Sequence, residues 1–168
     1  MTVRAFVGLG SNIGDRWRSC REALDRLARL PDTRLLRVSP FFESDPQEGA
    51  QGGRFLNAVA EIETGLAARQ LLRGMQEIEV ALGRPADHPP GAARTMDLDL
   101  LLYGDQAIAG PDLSVPHPRL AQRRFVLAPL AGLAPGVRPP GLDGTVEELL
   151  RRLDPRAQAC TAVRSPCE

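Results

Sequence analysis

The chain has 168 residues, which is enough to bury a hydrophobic core without stabilisation by metals or disulfides. Its 21 basic and 21 acidic residues balance, so no overall charge favours binding to nucleic acid or to an anionic membrane. All the basic residues are arginines, and the absence of lysine excludes a Walker-type phosphate loop and Schiff-base chemistry.

Cysteine usage and hydropathy indicate the compartment. The three cysteines, Cys20, Cys160 and Cys167, are odd in number and lack metal-ligand spacing, which argues against a disulfide framework and a zinc site. No apolar run approaches the length of a membrane span, and the first residues read as a strand rather than a signal peptide. We therefore expect a cytoplasmic protein.

Taken in chain order, the hydrophobic periodicity predicts six elements over the first two thirds of the chain. These are a strand at residues 3–9, a helix that ends at Pro31, strands at 35–42 and 55–63, a helix over 71–82 and a strand that ends at Tyr103. The order strand-helix-strand-strand-helix-strand is that of the split βαβ sheet. The predicted fold class is therefore α+β, a ferredoxin-like sheet with helices packed on it and extra C-terminal helices.

The last third of the chain predicts shorter elements. Apolar spacing predicts a short helix over residues 123–131, and Thr145 and Glu148 form a capping-box pattern for a last helix. Residues 1–153 are expected to form a single domain. Residues 154–168 show little periodicity and are expected to be a flexible tail.

Two long loops interrupt this plan, at residues 44–54 and 85–93, and both are rich in turn-forming residues. Loops of this length in a small domain are commonly lids or binding loops. A tolerated flexible insertion is the alternative at this stage.

The strand that ends at Tyr103 carries two carboxylates on one face, because side chains alternate along a strand. Asp97 and Asp99 point the same way as Leu101, roughly 7 Å apart. The opposite face is predicted to carry Met96, Leu98, Leu100 and Leu102. Two like charges on an apolar strand require a cationic partner, for which Mg²⁺ at a nucleotide is one candidate. A surface ion network with arginines is the other.

Positive charge surrounds this strand in the sequence and could bind a phosphate chain, although each arginine alone could also be a solvated surface residue. His117 lies between two prolines, where a phosphate contact and a structural hydrogen bond are both open. The arginines are Arg84, Arg94, Arg119, Arg123 and Arg124.

Aromatic and amide side chains could form a pocket for a flat heterocycle. Phe55 and Asn57 share one face of the third strand, and Phe125 could add a second ring; ordinary core packing is the alternative for both rings. Gln76 and Glu79 lie off the apolar stripe of the second helix and could face solvent or a ligand.

Four motifs in this order resemble one family, the 6-hydroxymethyl-7,8-dihydropterin pyrophosphokinases of folate biosynthesis. The resemblance covers about the first 135 residues. The motifs are GSNIGD at residues 10–15, FLNAV at 55–59, RTMDLDLL at 94–101, and VPHP at 115–118 followed by Arg123 and Phe125.

The resemblance implies that the protein transfers diphosphate from ATP to the hydroxymethyl group of the dihydropterin and releases AMP, with two Mg²⁺ ions held by Asp97 and Asp99. The implied partners are ATP and the pterin, with no nucleic acid or membrane, and the chain is expected to be a monomer. The catalytic residues implied are Arg84, Arg94, Asp97 and Asp99. Those implied at the nucleotide are Gln76, Glu79, Leu100, Ser114, His117 and Arg123. Those implied at the pterin are Ser44, Asp45, Phe55, Asn57 and Phe125.

Two other functions remain open from the sequence. One is a pterin-binding or nucleotide-binding protein of the same fold that has lost turnover. The other is a magnesium-dependent phosphodiesterase or cyclase, which shares the paired carboxylates but does not account for Phe55, Asn57 and Phe125 together.

Overall fold

The structure of the chain is a computed structural model, and it describes residues 1–46, 51–83 and 93–166. The predicted catalytic Arg84 lies outside the described residues, as do parts of both predicted lid loops. None of the helices in the described segments is long and apolar enough to cross a membrane.

Eight strands, four α-helices and one 3₁₀ turn are described along these segments. The strands are β1 (Val3–Ser11), β2 (Thr33–Val38), β3 (Phe41–Ser44), β4 (Phe55–Thr64), β5 (Asp97–Tyr103), β6 (Ile108–Ala109), β7 (Ser114–Val115) and β8 (Cys160–Val163). The helices are α1 (Arg16–Ala28), α2 (Ala68–Ala81), α3 (Arg124–Leu133) and α4 (Val146–Arg151), and the 3₁₀ turn is Leu120–Gln122.

The main sheet is antiparallel, with the order β5-β1-β4-β3-β8, and β2 also pairs with β4. β2 and β3 together correspond to one interrupted strand, the second along the chain, which makes β4 the third strand and β5 the fourth. In these terms the spatial order of the first four strands is fourth, first, third, second. This is the split βαβ arrangement, so the predicted ferredoxin-like α+β fold is confirmed.

Helices cover both faces of the sheet. α1 and α2 pack on one face over a core that includes Leu27, Leu71 and Met75, all fully buried. α3 and α4 pack on the other face against a second cluster that includes Leu101 and Leu127. Because α3 and α4 cover only part of their face, the remainder of that face is available to form a cavity.

The predicted second strand is interrupted in the structure. Residues 35–42 were expected to be continuous, but β2 ends at Val38 and β3 begins at Phe41. Pro40 has no N–H to donate to a ladder. Ser39 instead joins the sheet through both of its groups, because its amide donates to the Val59 carbonyl at 2.9 Å and its hydroxyl accepts from the Val59 amide at 2.9 Å.

One predicted orientation on β5 is wrong. Leu102 was expected to share a face with Leu98 and Leu100, but it packs with Leu101 in the second cluster. The cause is a register shift, because Phe6 pairs with Leu102 whereas Val7 pairs with Leu100. A bulge inserts one residue and reverses the alternation beyond it. Asp97 and Asp99 precede the bulge.

The C-terminal segment also differs from expectation. Residues 154–168 were predicted to be a flexible tail, yet β8 lies within them and pairs antiparallel with β3. Only four residues take part, too few to show a period in the sequence. The last helix was predicted correctly, since Thr145 caps α4 and Glu148 completes the capping box.

Candidate active site

A cavity of about 280 Å³ opens on the face of the sheet that α3 covers in part. Its floor is set by strand register. Gly10 lies between Asp97 of β5 and Asn57 of β4, and Gly8 lies between Asp99 and Val59. At these two positions β1 therefore places no side chain between β5 and β4, whose backbones lie about 10 Å apart. The glycines create a trough with carboxylates on one side and an amide on the other.

Asp97 and Asp99 both line the cavity, as the alternation of β5 predicted. The Asp97 carboxylate is 2.9 Å from the Arg94 guanidinium. The Asp99 carboxylate is more loosely surrounded, with the His117 Nε2 at 3.9 Å and the Arg123 guanidinium at 4.0 Å. Both Asp99 contacts are longer than hydrogen bonds, so its oxygens remain available to a ligand.

Burial, repulsion from Asp97 and, more weakly, Glu79 together raise the pKa of Asp99 from 3.8 to about 7, although Arg123 and Arg94 oppose the change. At Asp99, the nearby arginines therefore do not offset the combined effect of burial and the charge of Asp97. The ion network that the sequence left as the alternative forms in part, because Arg94 pairs with Asp97 at 2.9 Å whereas Arg123 is 4.0 Å from Asp99.

His117 is held by the loop after β7. Its amide donates to the Leu101 carbonyl at 3.0 Å, and its Nδ1 accepts from the Arg119 amide at 3.1 Å. Burial and the nearby Arg123 lower the pKa of His117, which favours the neutral ring. Since Nδ1 accepts a hydrogen bond, the proton of the neutral ring lies on Nε2, which is 3.9 Å from the Asp99 carboxylate.

The other side of the cavity carries the aromatic and amide groups. Phe55, Asn57 and Phe125 all line it, together with Ser44 and Asp45. The buried Asn57 amide donates to the Ser44 hydroxyl at 2.8 Å and to two backbone carbonyls at longer distances. These bonds fix the side chain so that its carbonyl oxygen can accept from a ligand.

Several predicted nucleotide residues lie elsewhere. Gln76 is exposed on α2, and Leu100 is buried on the opposite face of the sheet from the carboxylates. Glu79 is buried and accepts a hydrogen bond from the Leu98 amide at 2.7 Å, which ties α2 to β5. Ser114 is half-buried on the small β6-β7 hairpin. The nucleotide roles given to these residues stay predictions.

Seven residues line the cavity but were not among the residues predicted for it: Gly8, Leu9, Gly10, Ala58, Val59, Arg119 and Val126. From the sequence, Gly8 is interpreted only as a strand residue, Gly10 only as a turn residue and the first residue of the GSNIGD motif, and Arg119 only as one of several basic residues near the strand. The sequence does carry a signal for the glycines, because Gly8 and Gly10 are two residues apart on one predicted strand and so lie on the same face of it. The register that brings them between Asp97 and Asn57 was not available from the sequence.

Asp97 and Asp99 could supply some, but not all, of the ligands of a Mg²⁺ ion. Within the described segments, no group of three or more acidic, histidine or cysteine side chains is placed to hold a metal. Two carboxylates facing a cavity suit a magnesium ion whose remaining ligands are water and phosphate oxygens. Burial and then repulsion from Asp97 raise the pKa of Asp99, and a bound cation would oppose both effects.

The fold and the site together define a class of protein: a ferredoxin-like α+β domain whose cavity joins paired carboxylates and arginines to an aromatic pocket. The family model of the 7,8-dihydro-6-hydroxymethylpterin-pyrophosphokinases matches residues 6–135. The chain belongs to this family and is an ATP-dependent diphosphokinase by class.

Two bacterial relatives carry the name 2-amino-4-hydroxy-6-hydroxymethyldihydropteridine pyrophosphokinase. The protein from Pseudomonas aeruginosa is 47% identical over 140 residues, which is 83% of this chain and 86% of the relative. The protein from Bacillus subtilis is 43% identical over 127 residues, which is 76% of this chain and 75% of the relative.

Solved structures support the fold. A Plasmodium falciparum HPPK-DHPS structure aligns with a TM-score of 0.73 at 14% identity and covers 90% of this chain. This chain spans only 44% of that longer protein, so the likeness concerns one part of it.

Proposed function

We propose that the protein transfers diphosphate from ATP to the hydroxymethyl group of 6-hydroxymethyl-7,8-dihydropterin, giving AMP and the pterin diphosphate. The observation that carries this proposal is the trough over Gly8 and Gly10, with Asp97 and Asp99 on one side and Asn57 on the other. A flat heterocycle held on the amide side would direct its hydroxyl toward phosphates bound on the carboxylate side. Family membership supports the same reaction.

The pterin would occupy the side lined by Phe55, Asn57 and Phe125. Aromatic rings bind a flat ring by stacking, and the fixed Asn57 amide can read its hydrogen-bonding edge. Ser44 contributes indirectly, since its hydroxyl holds the Asn57 amide group at 2.8 Å. Holding the acceptor rigidly next to the phosphates would lower the entropic part of the barrier.

The phosphates would lie among Arg94, Arg123 and the Nε2 proton of His117. Guanidinium groups bind phosphate oxygens two at a time, and each of these three groups lies between 2.9 and 4.0 Å from the Asp97 or Asp99 carboxylate. Asp97 and Asp99 would hold the Mg²⁺ ions. When bound, magnesium would neutralise phosphate charge and help to orient the attacking hydroxyl.

The direct experiment mixes the protein with ATP, Mg²⁺ and 6-hydroxymethyl-7,8-dihydropterin and follows AMP and the diphosphorylated pterin. Equal amounts of the two products would support diphosphate transfer. A folded protein that binds the pterin without Mg²⁺-nucleotide and forms no AMP would instead be a binding protein. A product limited to inorganic phosphate or a cyclic nucleotide would indicate a phosphodiesterase or a cyclase.

The monomeric state, the cytoplasmic location, the use of two metal ions and the domain bounds of residues 1–153 stay predictions. So does the absence of nucleic acid and membrane partners. The role of Arg84 also stays a prediction.

A further inference from the structure

The C-terminal segment contacts both sides of the cavity, although it lies beyond the family match that ends at residue 135. β8 pairs with β3, where Cys160 lies opposite Ser44, the residue that holds Asn57. Just before β8, the side chain of Gln158 contacts the turn that leads into α3. The segment thus touches the aromatic side of the cavity through β3 and the arginine side through Gln158.

Gln158 makes two hydrogen bonds to the backbone on either side of Arg123. Its Nε2 donates to the Gln122 carbonyl at 2.9 Å, and its Oε1 accepts from the Arg124 amide at 2.8 Å. A carboxamide used in this way resembles the peptide group of a neighbouring strand, which offers one donor and one acceptor. Two bonds to one half-buried side chain restrain position and orientation together.

The backbone at this point needs such a partner. Arg123 is the N-cap of α3, with extended φ and ψ of −114° and 101°, and makes no side-chain capping bond. The first N–H groups of a helix have no partner within the helix. Gln158 supplies an acceptor to one of them from 34 residues away in sequence. Gln158 therefore acts as a non-local cap that fixes the backbone position from which the Arg123 side chain extends.

The side chain of Arg123 has few restraints of its own. Its guanidinium is 4.0 Å from Asp99 and lies over the Phe125 ring at 5.5 Å. Its buried Nε has no hydrogen-bond partner within the described part of the chain. Since the Nε has no partner among these residues and the nearest carboxylate is 4.0 Å from the guanidinium, the direction of the side chain depends strongly on the backbone from which it extends.

We propose that Gln158 is a positioning residue for Arg123, so that the C-terminal segment completes the nucleotide side of the cavity. The inference rests on the proposed function, because it assumes that Arg123 contacts phosphate. Loss of Gln158 is expected to weaken nucleotide binding more than pterin binding, because Arg123 lies next to the released turn whereas Phe55 and Asn57 lie on β4.

The test is Gln158→Met, which keeps the length of the side chain but removes both hydrogen bonds. We expect the Kd of Mg²⁺-α,β-methylene-ATP and the KM for ATP to rise about 5-fold to 10-fold. The KM for the pterin should rise less than the KM for ATP, and the circular dichroism spectrum should stay unchanged. Gln106→Met, at an exposed position after β5, is the matched control and should behave as wild type. Measurements well below the melting temperature exclude global unfolding as the cause.

A double-mutant cycle with Arg123→Met separates positioning from general stabilisation. If Gln158 acts through Arg123, Gln158→Met should add little to the nucleotide Kd in the Arg123→Met background. Full additivity, or an unchanged Kd in Gln158→Met alone, would overturn the inference while leaving the proposed function standing.

Hydrogen exchange provides a further readout that does not depend on activity. Loss of the Gln158 acceptor should speed exchange of the Arg124 amide. Slow exchange in Gln158→Met would overturn the inference even if the variant folded poorly in other respects. A wild-type chain that bound no nucleotide and formed no AMP would overturn the proposed function, and the positioning role with it.

Discussion

Replacement of Asp99 by asparagine should make the metal-free protein more stable while it removes turnover. The pKa of Asp99 is raised to about 7, first by burial and then by repulsion from Asp97. The variant Asp99→Asn removes the charge and keeps the shape of the side chain.

The sign follows from proton linkage. Below about pH 4 the Asp99 carboxyl is protonated in both the folded and the unfolded chain, so it contributes no difference. Between about pH 4 and pH 7 the unfolded chain ionises first, and the folded state loses stability as the pH rises. Above about pH 7 the loss is complete and constant. Asparagine cannot ionise, so the advantage of Asp99→Asn should develop across this window.

The magnitude can be bounded from the structure. The change from 3.8 to about 7 corresponds to about 4 kcal/mol of unfolding free energy if no screening applies. The Asp99 side chain is 33% exposed, and solvent reduces the effect of its charge. We therefore expect Asp99→Asn to raise the unfolding free energy by about 1–2 kcal/mol at pH 8.

The assay is urea denaturation at pH 4, 6 and 8 in the presence of EDTA. Asp105→Asn, which alters an exposed aspartate in the turn after β5, is the matched control and should show no pH-dependent gain. The reasoning is refuted if Asp99→Asn is no more stable than wild type at pH 8, or if the gain is as large at pH 4. Added Mg²⁺ should narrow the gap, because it stabilises only the wild-type pair.

Three further predictions concern activity and stability. Asp97→Ala or Asp99→Ala should lower kcat for AMP formation by about 10³-fold or more with the far-UV spectrum unchanged, because the Mg²⁺ site is lost. Phe125→Ala should raise the KM for the pterin about 10-fold with a smaller effect on ATP, because one stacking surface is removed. Glu79→Ala should lower the unfolding free energy in urea by about 1–3 kcal/mol, because the Leu98 amide loses its buried acceptor.

Each of these predictions has an outcome that would contradict it, and two of them have a control variant on α2. Near-normal turnover in both aspartate variants would contradict the metal assignment. Val80→Ala, at a position 61% exposed on α2, should leave the pterin KM unchanged, and an equal rise there would remove the case for stacking. Glu77→Ala, exposed on the same helix, should cost little stability, and a loss equal to that of Glu79→Ala would count against the hydrogen bond.

Elements with a strong local pattern were predictable. The stripe of α2, the alternation of β4 and the capping box of α4 depend on neighbouring residues in the sequence, and all three form as expected. The break at Ser39 and Pro40 and the bulge beside Leu101 were missed. Both depend on how one strand pairs with another, and a one-residue shift in pairing leaves no mark on the periodicity of either strand.

The same division applies to the site. The sequence determined that Asp97 and Asp99 share one face of a strand, and that arginines rather than lysines must meet any phosphate, because these facts follow from alternation and composition. Only the tertiary structure decided that Gly8 and Gly10 separate the carboxylates from Asn57. It also decided that Glu79 caps an edge strand and that Gln158 holds the backbone around Arg123. These contacts join residues far apart along the chain, and their partners are chosen by packing and strand register, which no local pattern encodes.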